Sequence, residues 1–301
     1  MGLQSRLLHA SEVVNVYHVQ CHPHDHDCGA TEATSADIVA FPLRGVFIKH
    51  PHNGRGVVAH AGKAVFFNRG ESYRVSHPRG GDDCLVLEPA AAVLRELRET
   101  LDARANPSHR VCFHVSQALL PAQVMLHQRL LWRNLQHVDR ALMIDEHALD
   151  LMLGTWSAAH GGHACGACVR GAALRRRREQ VRAVTILLAT DPAHRWTLPE
   201  LARRVYSSPF HLARAFRREC GLPIHRYLVQ VRLAYTLEAV LDSDRTLTTI
   251  AVEAGFATPS HFTAAFRRQY GFAPSSLRRN SSGAAATALR KISTVPLRVD
   301  H

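Results

Sequence analysis

Two stretches in the last third of the chain match each other about fifty residues apart, and this repeat limits the fold more than any other feature. "LPELARRVYSSPFHLARAFRRECGLP" (198–223) aligns with "LTTIAVEAGFATPSHFTAAFRRQYGFAP" (247–274). Leu198, Leu201 and Ala202 match Leu247, Ile250 and Ala251. Ser208, Pro209, His211, Leu212, Phe216, Arg217, Arg218 and Gly221 match Thr258, Pro259, His261, Phe262, Phe266, Arg267, Arg268 and Gly271, one residue having been inserted between the halves. A solenoid usually needs three or more copies. Two copies predict a duplicated helical module.

Each copy has the pattern of a helix, a tight turn and a second helix. Thr197 with Glu200 makes a capping-box start for the first helix. The turns are "VYSS" and "AGFAT", where Gly255 permits a left-handed residue. Ser208-Pro209 and Thr258-Pro259 place a hydroxyl cap and a first-turn proline at the start of each second helix. Leu212 and Phe216, like Phe262 and Phe266, lie four apart and face inward. Gly221 and Gly271 stop the helices. Residues 224–244 between the copies read as one longer helix that holds the two units at a fixed separation.

Charge separates this region from the rest. Residues 1–169 carry 15 Lys+Arg against 16 Asp+Glu, whereas residues 170–301 carry 22 against 9. The whole positive excess therefore lies in the repeat-bearing part, as a polyanion-binding module requires. A helix fits the DNA major groove, with its early residues at base edges and flanking groups on phosphate. The outward positions expected to read bases are Phe210, Ala213 and Arg214 in helix 208–219, and Ser260, Thr263 and Ala264 in helix 258–269. Arg214 can donate two hydrogen bonds to guanine, and Phe210 can pack on a thymine methyl. Ser207, Ser208, Arg217, Arg218, Thr258, Arg267 and Arg268 are the expected phosphate contacts.

These residues resemble the DNA-binding domain of the AraC/XylS family of bacterial transcription regulators. The second copy carries the family pattern I-A-x-x-x-G-F, then S-x-F-x-x-x-F-[RK]-x-x-x-G-x-x-P, as Ile250-Ala251, Gly255-Phe256, Ser260, Phe262, Phe266, Arg267, Gly271 and Pro274. The resemblance covers residues 178–279. It implies seven helices, two helix-turn-helix units entering successive major grooves, binding to double-stranded promoter DNA, and usually activation of RNA polymerase. The family often ends P-x-x-[YF]-R, and Leu277 departs from that pattern here.

The family plan also implies a sensing or dimerisation domain first, often a cupin-like β-barrel. Residues 36–90 hold β-branched and aromatic runs broken by Gly, Pro and Asn, which read as strands. Residues 121–136 and 141–158 read as helices, and could form a homodimer interface. The expected architecture is therefore α+β. A cupin-like domain spans 1–160, with strands over about 15–90 and flanking helices over about 91–160. A linker (161–177), an all-α DNA-binding domain (178–279) and a tail (280–301) follow. A small-molecule effector is implied, but no residue names it.

Two clusters of metal-ligating residues stand outside this scheme. "CHPHDHDC" (21–28), read as a strand, puts His22, His24, His26 and Cys28 on one face and Cys21 on the other. "HGGHACGAC" (160–168) orders His160, His163, Cys165 and Cys168 too tightly for a familiar zinc module. The expectation is no metal and no cofactor, with 21–28 a polar edge at the barrel mouth. Cupin dioxygenases pair H-x-H with a nearby Glu and a distant His. Here Glu32 and His77 stand at the wrong spacing, so no enzyme is expected. No run of about 18 apolar residues predicts a membrane span, and the seven cysteines are expected to be reduced in a cytoplasmic chain.

Overall fold

The computed structural model describes residues 2–22, 29–52, 55–78, 80–101, 112–136, 141–161 and 172–280, and all statements of absence below are made of these residues. The first half is antiparallel β with helices on one side. Its strands are β1 (Gly2–Ala10), β2 (Val14–His22), β3 (Glu32–Ala33), β4 (Ile38–Gly45), β5 (Phe47–Pro51), β6 (Val57–Ala59), β7 (Lys63–Phe67), β8 (Ser72–Ser76), β9 (Asp82–Pro89) and β10 (Gln117–Leu119). They form a six-stranded sheet in the order β1-β2-β9-β4-β7-β10 and a four-stranded sheet in the order β3-β8-β5-β6.

Alternation along β4, β7 and β9 sends one set of side chains between the sheets and the other to the helices. Ala40, Phe47, Val57, Ala59, Val65, Phe67, Cys84 and Val86 fill the space between the sheets. Val39, Phe41, Phe66, Leu85 and Leu87 face the helical side. Both faces of β4 are covered, so it reads as a continuous apolar run rather than an alternating one.

The expected barrel is not closed. β1 and β10 are edges of the larger sheet and do not pair with each other. The strands also begin earlier than the expected residue 15, because β1 pairs with β2 from Gly2↔His22 onward. The outer edge of β1 carries Gln4, Ser5 and Arg6, polar residues that suit an unpaired ladder.

Helices α1 (Ala91–Leu101), α2 (Ala122–Asn134) and α3 (Ala141–Gly161) follow. Met125, Leu126, Leu130 and Leu131 of α2, and Ile144, Leu151, Met152 and Trp156 of α3, are buried. Leu142, in the first turn of α3, is 75% exposed. The second half is all helix: α4 (Ala172–Thr190), α5 (Leu198–Arg204), α6 (Pro209–Cys220), α7 (Ile224–Asp242), α8 (Leu247–Glu253), α9 (Pro259–Tyr270) and α10 (Pro274–Asn280). α4 starts inside the stretch read as a linker. Residues 162–171, most of the second Cys/His cluster, and the tail from 281 lie outside the described residues.

α2 joins the two halves. Pro42 cannot donate to the ladder, and the β4–β9 register shifts between Pro42 and Arg44. The Pro42 and Leu43 carbonyls turn to α2, accepting from Gln128 Nε2 (3.2 Å) and Arg129 Nη2 (2.9 Å). Arg129 is 4% exposed, and its guanidinium also faces Glu238 of α7 at 3.5 Å. Arg44 pairs with the same carboxylate. Elsewhere in the interface His60, fully buried, is hydrogen-bonded to the Tyr227 hydroxyl of α7. Burial pushes the His60 imidazole well below its ordinary value and raises the Tyr227 phenol, so this is a contact between neutral groups.

Candidate DNA interface

The two helix-turn-helix units are α5–α6 and α8–α9. The Thr197 hydroxyl accepts from the Glu200 amide at 3.3 Å. The reciprocal half of the capping box is replaced, because the Glu200 carboxylate instead takes His194 (3.2 Å) and Arg204 (3.3 Å). Thr246 caps α8 in the same way, through the Thr249 amide at 3.1 Å.

The second helices start at their Ser-Pro and Thr-Pro signals. Ser208 Oγ accepts from the His211 amide at 3.2 Å, and Thr258 Oγ1 from the His261 amide at 3.1 Å. Both helices end on a left-handed glycine, Gly221 at φ 74 and Gly271 at φ 84. Each runs one residue later than the expected 208–219 and 258–269, because the cap itself is not helical. Leu212, Phe216, Phe262 and Phe266 all point inward with no exposed surface.

That inward anchoring determines what faces out. On α6, His211, Arg214, Arg217 and Arg218 are exposed, while Ala213 is half-buried. On α9, Ser260, His261, Thr263, Ala264, Arg267 and Arg268 are exposed. Among the described residues no carboxylate pairs with Arg217, Arg218, Arg267 or Arg268, which leaves four guanidinium groups facing solvent. The Phe210 side chain lies outside the described residues. Ser208 and Thr258 are exposed at the N-termini of α6 and α9, but their oxygens already serve as caps. The Thr258 hydroxyl proton is still available to a phosphate, whereas the Ser208 hydroxyl also lies 2.6 Å from His211 Nδ1. Ser207 is half-buried, and its hydroxyl is turned to the Ser208 carbonyl at 3.3 Å.

Sequence reasoning passed over three outward residues. His211 and His261 occupy matching positions six residues, nearly two turns, before the arginine pairs, and the repeat alignment itself marks them as equivalent. Tyr206 occupies the turn position that Gly255 fills in the second copy. It adopts the left-handed region at φ 51 and is 85% exposed. Gln180 of α4 holds that turn by donating to the Val205 and Tyr206 carbonyls at 2.9 and 3.1 Å.

Comparison with known proteins agrees with this geometry. The helix-turn-helix domain family matches residues 201–280, which takes in both units. Residues 201–280 form a helix-turn-helix domain of AraC type. The match reaches the final helix, where Leu277, which departs from the aromatic of the family pattern, is buried at 6% exposure. Arg278 of that helix donates to the Val240 carbonyl of α7 at 3.2 Å.

Among the relatives, the urease operon transcriptional activator of Escherichia coli is 29% identical over 100 residues, 33% of each chain. A putative AraC-like transcription regulator of Streptomyces antibioticus is 31% identical over 100 residues, again 33% of each. The chain thus spans about a third of the length of the curated relatives it matches. ToxT of Vibrio cholerae overlaps 89% of this chain and 98% of its own at 11% identity, with a TM-score of 0.37, too loose a superposition to bear on function.

The first Cys/His cluster divides at its second residue. His22 ends β2 with its side chain exposed, while its neighbour Cys21 is buried. His24, His26 and Cys28 lie outside the described residues. Cys21 faces His77 and Asp82 between the sheets, an association that its spacing from them in the chain does not announce.

Proposed function

We propose that this chain is a sequence-specific transcription regulator, reading two successive major grooves of promoter DNA with α6 and α9. The observation that carries this reading is the matched pair of helices. Each is anchored by two buried apolar side chains, capped by a hydroxyl, and left with an outward Arg-Arg pair one turn behind its tip. The tips differ: α6 offers Arg214, which can fork onto a guanine, whereas α9 offers the short side chains Ser260, Thr263 and Ala264. Specificity at the second groove therefore rests more on phosphate contacts and DNA shape.

The regulator reading assigns the chain no catalytic step. The relatives include transcriptional activators, which supports an activating role here. Activation through RNA polymerase, a cytoplasmic location and a small-molecule effector for the N-terminal domain belong to the same proposed reading. No described helix is long and apolar enough to cross a membrane. A homodimer would use the first half, whose α3 leaves Leu142 exposed.

Fluorescence anisotropy with the full chain and its own upstream DNA tests this reading. Arg214→Ala should cost about 1–3 kcal/mol, roughly 5- to 150-fold in affinity, and relax preference at one base pair. Arg217→Ala should weaken binding evenly across sequences and lower the salt slope by about one. Equal loss on all sequences for both variants would mark an architectural binder instead.

A further inference from the structure

We propose that Cys21, His77 and Asp82, with Glu32 beside them, form a binding site for a divalent cation of the zinc class between the two sheets of the N-terminal half. The ladder brings the ligands together. Cys21 is the direct partner of Asp82 across β2 and β9. His77 follows β8 of the smaller sheet, and Glu32 lies on β3, which pairs with β8. A cation here would tie one sheet to the other.

The distances suit such an ion. One ligand atom from each of Cys21, His77 and Asp82 lies within 4.8 Å of the others. Zinc–ligand bonds of about 2.0–2.3 Å place tetrahedral donor atoms roughly 3.3–3.8 Å apart, so small side-chain adjustments suffice. A thiolate, an imidazole and a carboxylate are a donor set that zinc and its neighbours in the transition series accept. Glu32 is near enough for its charge to act on both Cys21 and His77, and adds negative charge beside the three ligands.

The surroundings are built for close approach. A side chain at Gly81 would meet the Cys21 carbonyl at 2.0 Å, so only glycine lets the end of β2 come this near to the start of β9. Cys21 is 4% and His77 1% exposed, and the Asp82 side chain 7%. A buried His–Asp pair (2.6 Å) by itself gains little over apolar residues of the same size. Cys84 Sγ, 2.9 Å from the second Asp82 oxygen, leaves Oδ1 turned towards His77 and orients the carboxylate as outer partners of metal ligands do. On binding, the cation takes the place between His77 Nε2 and Asp82 Oδ1. The Cys21 S–H bond breaks, a thiolate–metal bond forms, and the proton leaves to solvent.

The site is separate from the DNA-reading helices, so cation loading is measured independently of DNA affinity. The test is a Co²⁺ titration of the full chain, purified with chelator and reductant, in a Cys165→Ser/Cys168→Ser background. The expected result is one Co²⁺ per chain with a thiolate-to-cobalt charge-transfer band, displaced by Zn²⁺. Cys21→Ser should abolish the band and Cys84→Ser should keep it. His77→Gln and Asp82→Asn should each weaken binding at least about 100-fold, beyond the effect of losing an outer partner. A band that survives Cys21→Ser, or the absence of stoichiometric Co²⁺, overturns the proposal. If Cys21→Ser fails to fold, Asp82→Asn decides, and unchanged affinity there overturns it equally.

Discussion

Glu238→Ala is expected to cost about 2–4 kcal/mol of stability, more than any surface substitution in the chain. Its carboxylate faces the Arg129 guanidinium, which is 4% exposed, and removal leaves that charge buried with too few partners. Breaking a fully buried pair costs about 3–5 kcal/mol; the lower figure applies because the Glu238 side chain is 29% exposed. Urea unfolding followed by circular dichroism measures the loss as a fall in the midpoint. The double variant Arg129→Met/Glu238→Leu should recover most of it, because a well-packed apolar pair can replace a buried ion pair.

The pH dependence has a definite sign. Burial alone would raise the Glu238 carboxyl, but the hydrogen bond from Arg44 and the charges of Arg129 and Arg44 outweigh it and hold the group below its ordinary value. A carboxylate depressed in the folded state contributes stability that is present above its unfolded pKa. That contribution disappears as pH falls through the folded value. In Glu238→Gln this part of the acid sensitivity should be missing.

Gly255→Ala is expected to cost about 2–6 kcal/mol and to disturb the spacing of the two DNA-reading units. Gly255 lies at φ +81, where a side chain is strained by about 1–3 kcal/mol. The added Cβ would also meet the Ala193 carbonyl at 2.5 Å and its Cα at 2.7 Å, backbone atoms that cannot swing aside. Overpacking of this kind adds about 1–3 kcal/mol. Ala193 belongs to the loop entering α5, and Arg232 of α7 grips that loop through the Pro192 carbonyl (2.6 Å) and the His194 carbonyl (2.9 Å). The turn of the second unit therefore rests on the approach to the first. Moving it should lower affinity for a two-groove site more than for a single half-site. By contrast, Tyr206→Gly at the matching turn should change stability by no more than about 1.5 kcal/mol. Relief of about 1–2 kcal/mol of left-handed strain is offset by about 0.5–1 kcal/mol of added chain entropy.

The difference between those turns shows which parts of this chain can be read without a structure. Hydroxyl caps, first-turn prolines and stopping glycines act within four residues, so α6 and α9 were legible to within one position. Leu212, Phe216, Phe262 and Phe266 followed from a single period. Barrel closure depends on pairing between strands far apart in the chain, and the sequence offers no signal that β1 and β10 stay apart. β1 itself, "GLQSRLLHA", lacks alternation and β-branched residues; its strand form comes from β2 beside it. The Arg129–Glu238 and Cys21–His77–Asp82 groupings arise the same way. Each joins residues that are distant or irregularly spaced in the chain, and only the folded neighbours reveal them. Histidine runs drew attention to residues 21–28, yet the member that meets other ligands is the buried Cys21.

The central claim is that one chain reads DNA through two helices at once. Hydroxyl-radical footprinting of the full chain on its own upstream region tests it directly. The account predicts two protected tracts on one face of the duplex, about 10 base pairs apart, with Arg214→Ala weakening the tract under α6 before the tract under α9. A single protected tract, or uniform protection that follows salt but not sequence, would contradict it.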